Sequence, residues 1–163
     1  MNIFVIESDP VLAGLSLCNK HIVKMPIETA QLLCTAVKKL SGVVGPYRSC
    51  YENHPCGIWT RKSSENFDWL VEHGLAICEA YTIEYGKAHK SRGVILWAKE
   101  NKPKFSESAL TPHPQCVPEK FKSSDAVEAY RNYYIEEKSS FAKWNKREEP
   151  LWFRKRPDDF QTR

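Results

Sequence analysis

The sequence predicts a mainly α, single-domain helical bundle of about four to five helices with one long irregular connection. Three observations point there. Apolar residues recur at helical spacing through residues 21–40, 63–85 and 125–141. Helix start and stop residues stand at the matching ends: Asp9 before Pro10, Ser63, Asp125, and Gly86. The chain, at 163 residues with 42% hydrophobic and 27% charged residues, suits one domain with a real core.

Ile3 to Ile6 is a short apolar run, either a strand or a buried extended lead-in. Ser8 and Asp9 offer caps and Pro10 fits a first helical turn, so a short helix is expected over 10–17. The second helix, over 21–40, is apolar around more than half its circumference. His21, Lys24, Glu28, Gln31 and Thr35 fall on one narrow stripe. A surface helix normally carries a broad polar face, so a thin one is expected to line a cleft. Pro26 either kinks this helix or sits in its first turn. Residues 41–51 read as a loop. A third helix runs from Ser63 or Ser64 to about Tyr85, with Gly86 as its stop. Residues 86–120 read as a long Pro- and Lys-containing connection. A last helix follows Asp125 to about Phe141, and 144–163 read as irregular.

No apolar run approaches the roughly 20 residues of a membrane span. The N-terminus carries neither a basic region nor a cleavage site, so a cytoplasmic location is expected. The cysteines at 18, 34, 50, 56, 78 and 116 form no Cys-x-x-Cys pair and are read as reduced. Cys50, His54, Cys56, His113 and Cys116 are conceivable zinc ligands, but Cys50-x3-His54-x-Cys56 is not a standard spacing. No metal or cofactor is expected.

The net charge is only +4, yet it is unevenly spread. Lys20, Lys24, Lys38, Lys39 and Arg48 face Glu28 alone within 20–48. Lys87, Lys90, Arg92, Lys99, Lys102 and Lys104 face Glu100 alone within 86–104. Both stretches suit an anionic partner such as phosphate, or are simply solvated.

The stretch Asn19-Lys20-His21-Ile22-Val23-Lys24-Met25-Pro26-Ile27-Glu28-Thr29-Ala30-Gln31-Leu32-Leu33 resembles the N-terminal motif of the phage pyrimidine-dimer glycosylase (endonuclease V-like) family. That motif runs Lys-Arg, two residues, Lys, three residues, Glu, two residues, Gln. Asn53-His54-Pro55 with Trp59 is similar to the family's second motif, which precedes a long helix. Together they cover about the first half of the chain. The resemblance implies a DNA glycosylase and abasic-site lyase located in the host cell's cytoplasm if phage-encoded. A free N-terminal amine would attack the sugar C1′, a helix Glu would move protons, and basic residues would hold phosphates around an extruded base.

The chemistry is sound in itself. A terminal α-amine ordinarily titrates near 7.7–8.0, so roughly a third is neutral near neutral pH, against about a thousandth of a lysine. Placed beside a carboxylate it is a ready nucleophile. Glu28 is the matching carboxylate, and Lys24 with His21 would contact phosphate or the departing base. Two positions depart from the motif. Asn2 stands where a small residue is usual, which works against methionine removal and leaves the Met1 or the Asn2 amine as nucleophile. His21 replaces Arg, putting a titratable ring where a fixed charge is usual.

Each residue also has a plainer reading. Lys24 and Glu28 fit an i,i+4 salt bridge. His54 either caps the next helix or reaches the cleft beside Asn53. Trp59, Trp69 and Trp97 are core or cleft wall, and Tyr130 and Tyr134 share a core face. Arg131 and the cluster of Lys87, His89, Lys90 and Arg92 are phosphate contacts or ordinary surface. The rival functions are a non-catalytic, sequestering nucleotide-binding protein and a base-modifying transferase on the same scaffold. All take a nucleic acid or nucleotide as partner and none a membrane.

Overall fold

A computed structural model describes residues 1–157. Seven α-helices are found among them: α1 (Pro10–Ser16), α2 (Asn19–Ser41), α3 (Pro55–Thr60), α4 (Ser64–Tyr85), α5 (Arg92–Glu100), α6 (Ala126–Lys138) and α7 (Leu151–Arg154), with a 3-10 turn at Glu119–Phe121. No strand occurs among the described residues, so the chain is all-α.

Local chemistry sets the helix ends. Asp9 accepts the Leu12 N–H at 2.8 Å, and Pro10 opens α1, where its missing N–H costs no hydrogen bond. Ser63 accepts the Asn66 N–H and Asp125 the Val127 N–H, starting α4 and α6. Gly42 and Gly86 close α2 and α4 in the left-handed region at φ 77° and 69°, where a Cβ is strained. Pro26 lies inside α2, which continues through it to Ser41.

The central helix is α4, which packs against α1, α2, α3 and α5. Two glycines allow the close crossings. A Cβ on Gly14 of α1 would lie 2.7 Å from both Ala76 Cβ and the His73 carbonyl oxygen; one on Gly74 would lie 2.6 Å from Thr29 Cγ2 of α2. The helices seat Leu33, Phe67, Leu70, Ile77, Ile95 and Tyr134 in one core.

Residues 3–6 are the buried extended lead-in and not a strand: Ile3, Phe4, Val5 and Ile6 are all buried. The connection over 86–120 is less irregular than expected. It contains α5, whose Val94, Ile95 and Ala98 are buried. The C-terminal segment packs on the core too, within residues 144–157. Trp144 Nε1 donates to the Ser16 carbonyl at 3.0 Å, and α7 buries Phe153. Residues 158–163 of the segment read as irregular lie outside the described residues. No helix among the described residues is long and apolar enough to cross a membrane.

Candidate active site at the chain terminus

Glu28 sits on the buried side of α2, its side chain 11% exposed. A carboxylate so placed needs partners, and three come from two directions. Lys24, one turn earlier, puts Nζ 3.2 Å from Oε1 while remaining 66% exposed itself. The Met1 α-nitrogen lies 3.8 Å from the same oxygen. The Asn2 main-chain N–H donates to Oε2 at 3.1 Å.

The terminus is anchored by its side chains. The Met1 side chain is 1% exposed although the residue as a whole is half-buried, so what Met1 shows to solvent is main chain. The Asn2 amide donates through Nδ2 to the Cys116 carbonyl at 2.9 Å. Its Oδ1 accepts from the Tyr130 hydroxyl at 2.7 Å and from the Ile3 N–H at 2.8 Å. Tyr130 in turn accepts the Cys116 N–H at 3.1 Å. An asparagine at position 2 therefore has a structural reason: its side chain fastens the terminus to α6 and to the connection before it.

Around this anchor stand His54, Cys56 and Cys116. His54 caps α3, its Nδ1 accepting the Cys56 N–H at 3.1 Å, so the plainer reading of this residue holds. Partial burial, then the Met1 ammonium, pushes the imidazole below its ordinary value, against a smaller opposing pull from Glu28. The Cys56 and Cys116 sulfurs lie 3.7 Å apart. Their hydrogen bond pushes the Cys116 thiol down to about 7, and the same bond with burial pushes the Cys56 thiol far up.

The other expected residues divide by location. The polar stripe of α2 is covered at one end by the chain's own lead-in. Phe4 stacks on His21 at 4.4 Å, and the His21 Nδ1 meets the Tyr134 hydroxyl at 2.7 Å. Burial, helped by Lys138, Lys24 and Lys20, lowers its titration to about 3, so His21 is a neutral ring in an aromatic cluster. Gln31 is half-buried one turn beyond Glu28, and Asn53 is exposed before His54. Trp59 is buried, stacks on His113 at 4.4 Å and donates Nε1–H to the Thr111 carbonyl.

Lys87, His89 and Lys90 line a different cavity, of about 310 Å³, with Val23, Tyr47 and Tyr81. There His89 is bound to its surroundings, through Nε2 to the Val23 carbonyl and through Nδ1 to the Ser91 N–H. Arg131 lines a third place, a cavity of about 600 Å³ beside Glu7, Ser8 and Asp125, where it pairs with Glu7 at 2.7 Å. The structure thus brings Met1, Asn2, Lys24, Glu28 and His54 together, and does not bring Arg131 or the Lys87–Lys90 cluster to them.

Tyr130 is a residue that sequence reading assigns no part here, and Cys116 is named there only among the conceivable zinc ligands. Tyr130 carries only an apolar-face signal, and Cys116 follows Cys56 by 60 positions. The chain matches no family model, no curated protein and no solved structure.

Proposed function

We propose that this protein removes a damaged or modified base from DNA, using the terminal amine as nucleophile and Glu28 as proton carrier. The observation that carries this reading is the Met1 α-nitrogen 3.8 Å from Glu28 Oε1. The carboxylate takes a proton from the ammonium, and the neutral nitrogen bonds to C1′ as the bond from C1′ to the base breaks. The base departs with that electron pair and takes up a proton lost by the attacking nitrogen. The C1′–O4′ bond then breaks, O4′ receiving the proton held on Glu28, and the protonated imine so formed opens the way to strand cleavage. The gap exceeds a hydrogen bond, so it admits a water or a small closing movement when substrate arrives. Lys24, exposed and 3.2 Å from the same oxygen, is placed to meet a phosphate without leaving Glu28.

Borohydride trapping tests the reading. The full-length protein is incubated with duplex DNA carrying an abasic site or a pyrimidine dimer, reduced, and digested for peptide mapping. The expected result is a covalent adduct on the N-terminal peptide that is lost in Glu28→Gln. The same mapping tells a Met1 amine from an Asn2 amine. An adduct on Lys24, or none, overturns the amine mechanism. Binding to a free nucleotide with weak salt dependence, and none to duplex, points to the sequestering alternative.

A further inference from the structure

The geometry points to a zinc-class metal site formed by His54, Cys56 and Cys116. One donor atom from each lies within 4.8 Å of the others. The two sulfurs are 3.7 Å apart. Two thiolates bound at about 2.3 Å to one tetrahedral ion stand about 3.8 Å from each other, so the sulfur pair is already at coordination spacing. A thiolate and an imidazole nitrogen on the same ion stand about 3.5 Å apart, and the three donor atoms already lie within 4.8 Å of one another.

The donor chemistry selects the ion. Two sulfurs and one imidazole suit Zn²⁺ and related borderline-soft ions, whereas Mg²⁺ and Ca²⁺ require oxygen. Linear spacing conceals the site, because Cys116 reaches it only through the fold. Its carbonyl and N–H are held by Asn2 and Tyr130, which fix its position opposite Cys56. The turn that delivers His54 and Cys56 is tightly built. Tyr51 adopts φ 57°, its carbonyl accepts the His54 N–H at 3.1 Å, and a Cβ on Gly57 would lie 2.5 Å from that carbonyl oxygen.

His54 sets a condition on loading. Its Nδ1 lone pair accepts the Cys56 N–H, which puts the ring proton on Nε2. Coordination through Nδ1 exchanges that cap for a metal bond, and the freed Cys56 N–H is then available to a thiolate. Three protein donors leave the fourth tetrahedral position for water or another ligand, the arrangement of catalytic rather than structural zinc. This inference stands apart from the base-excision reading, since it needs neither DNA nor a free amine.

The test is metal titration of the reduced, chelator-stripped full chain with Zn²⁺ in competition with a chromogenic chelator, and with Co²⁺ as optical probe. The expected result is one ion per chain, with thiolate-to-cobalt charge-transfer absorption and tetrahedral visible bands. Cys116→Ser should weaken Zn²⁺ binding more than about 100-fold. Because Cys56→Ser risks the buried start of α3, His54→Asn serves as the second variant: asparagine keeps a helix cap but not the imidazole, and it should also lose affinity. Cys78→Ser, a buried cysteine of α4 outside the cluster, should bind as the parent does. Absence of thiolate charge transfer, or Zn²⁺ binding unchanged in Cys116→Ser and His54→Asn, overturns the proposal.

Discussion

The Tyr130 hydroxyl donates to Asn2 Oδ1 at 2.7 Å, joining the start of the chain to α6 across 128 positions. The same oxygen accepts the Cys116 N–H, so one phenol holds both the terminus and the segment that faces Cys56. Removing it strands the Cys116 N–H and leaves Asn2 Oδ1 with the Ile3 N–H alone at a part-buried point, at a cost of about 1–3 kcal/mol. Tyr130→Phe should lower the urea midpoint accordingly and make the first residues more open to an aminopeptidase. Asn2→Ala should open the terminus further, because it also frees the Cys116 carbonyl. A terminus as resistant as the parent's in both variants would show that the anchor lies elsewhere.

A second long-range tie is ionic. Arg147 and Glu84 meet at 3.3 Å with side chains only 7% and 2% exposed. Burial pulls the guanidinium below its ordinary value, and Glu84 opposes this. Nη1 donates to the Leu15 and Leu17 carbonyls, each at 2.8 Å, and Nη2 to Asn19 Oδ1 at 2.9 Å, clamping the α1–α2 junction to the end of α4. Breaking one side of a buried pair costs about 3–5 kcal/mol because the other charge is stranded. Glu84→Gln and Arg147→Met should each lose stability on that scale in denaturant unfolding. The double variant should lose less than the sum. Additive losses would mean the two side chains act independently.

How much of this was legible in the sequence follows from range. Asp9, Ser63, Gly86 and Asp125 mark helix ends because a cap acts within a few residues, and the structure uses all four. Helix α5 escaped because its buried residues, Val94, Ile95 and Ala98, occupy barely two turns amid lysines. The stripe on α2 marks Glu28 as a polar residue of a mostly buried helix and reads as a cleft wall, but periodicity reports direction around a helix and not what covers it. Phe4 covers His21, and the main chain of Met1 and Asn2 meets Glu28. The Cys56–Cys116 approach has no local signature, since it depends on α3, the connection and α6 all being in place.

Acid should weaken the fold through buried neutral histidines. His73 lies wholly buried against Trp69 at a ring distance of 4.8 Å, with Nδ1 3.1 Å from the Pro10 carbonyl oxygen. Burial lowers its titration to about 4, against a smaller opposing effect of that carbonyl. Below about pH 6.5 the unfolded chain takes up a proton here that the folded chain refuses until about pH 4. Stability is therefore full above the unfolded value and falls as the pH drops through that window, by about 3 kcal/mol for this residue. Urea unfolding at steps from pH 7 to pH 4 should show the decline. His73→Gln should be less stable at pH 7 but have a flatter slope. An unchanged slope would assign the effect to His21 and His113, which burial lowers to about 3 and about 4.

Two glycines should respond oppositely to the same added methyl group. At Gly14 the new Cβ would lie 2.7 Å from the His73 carbonyl oxygen, a main-chain atom of α4 that cannot swing aside. Gly14→Ala must push α1 off α4, and overpacking of this kind costs about 1–3 kcal/mol or more. The displacement would also disturb the Pro10 carbonyl that faces His73. Gly93, in the first turn of α5, is exposed, and a Cβ there meets nothing within 4 Å. Gly93→Ala removes backbone freedom from the unfolded chain without a clash, for a gain of up to about 1 kcal/mol. Thermal unfolding of the two variants side by side should move Tm down in the first and level or up in the second. A harmless Gly14→Ala would mean that α1 does not pack on α4 as closely as this crossing requires.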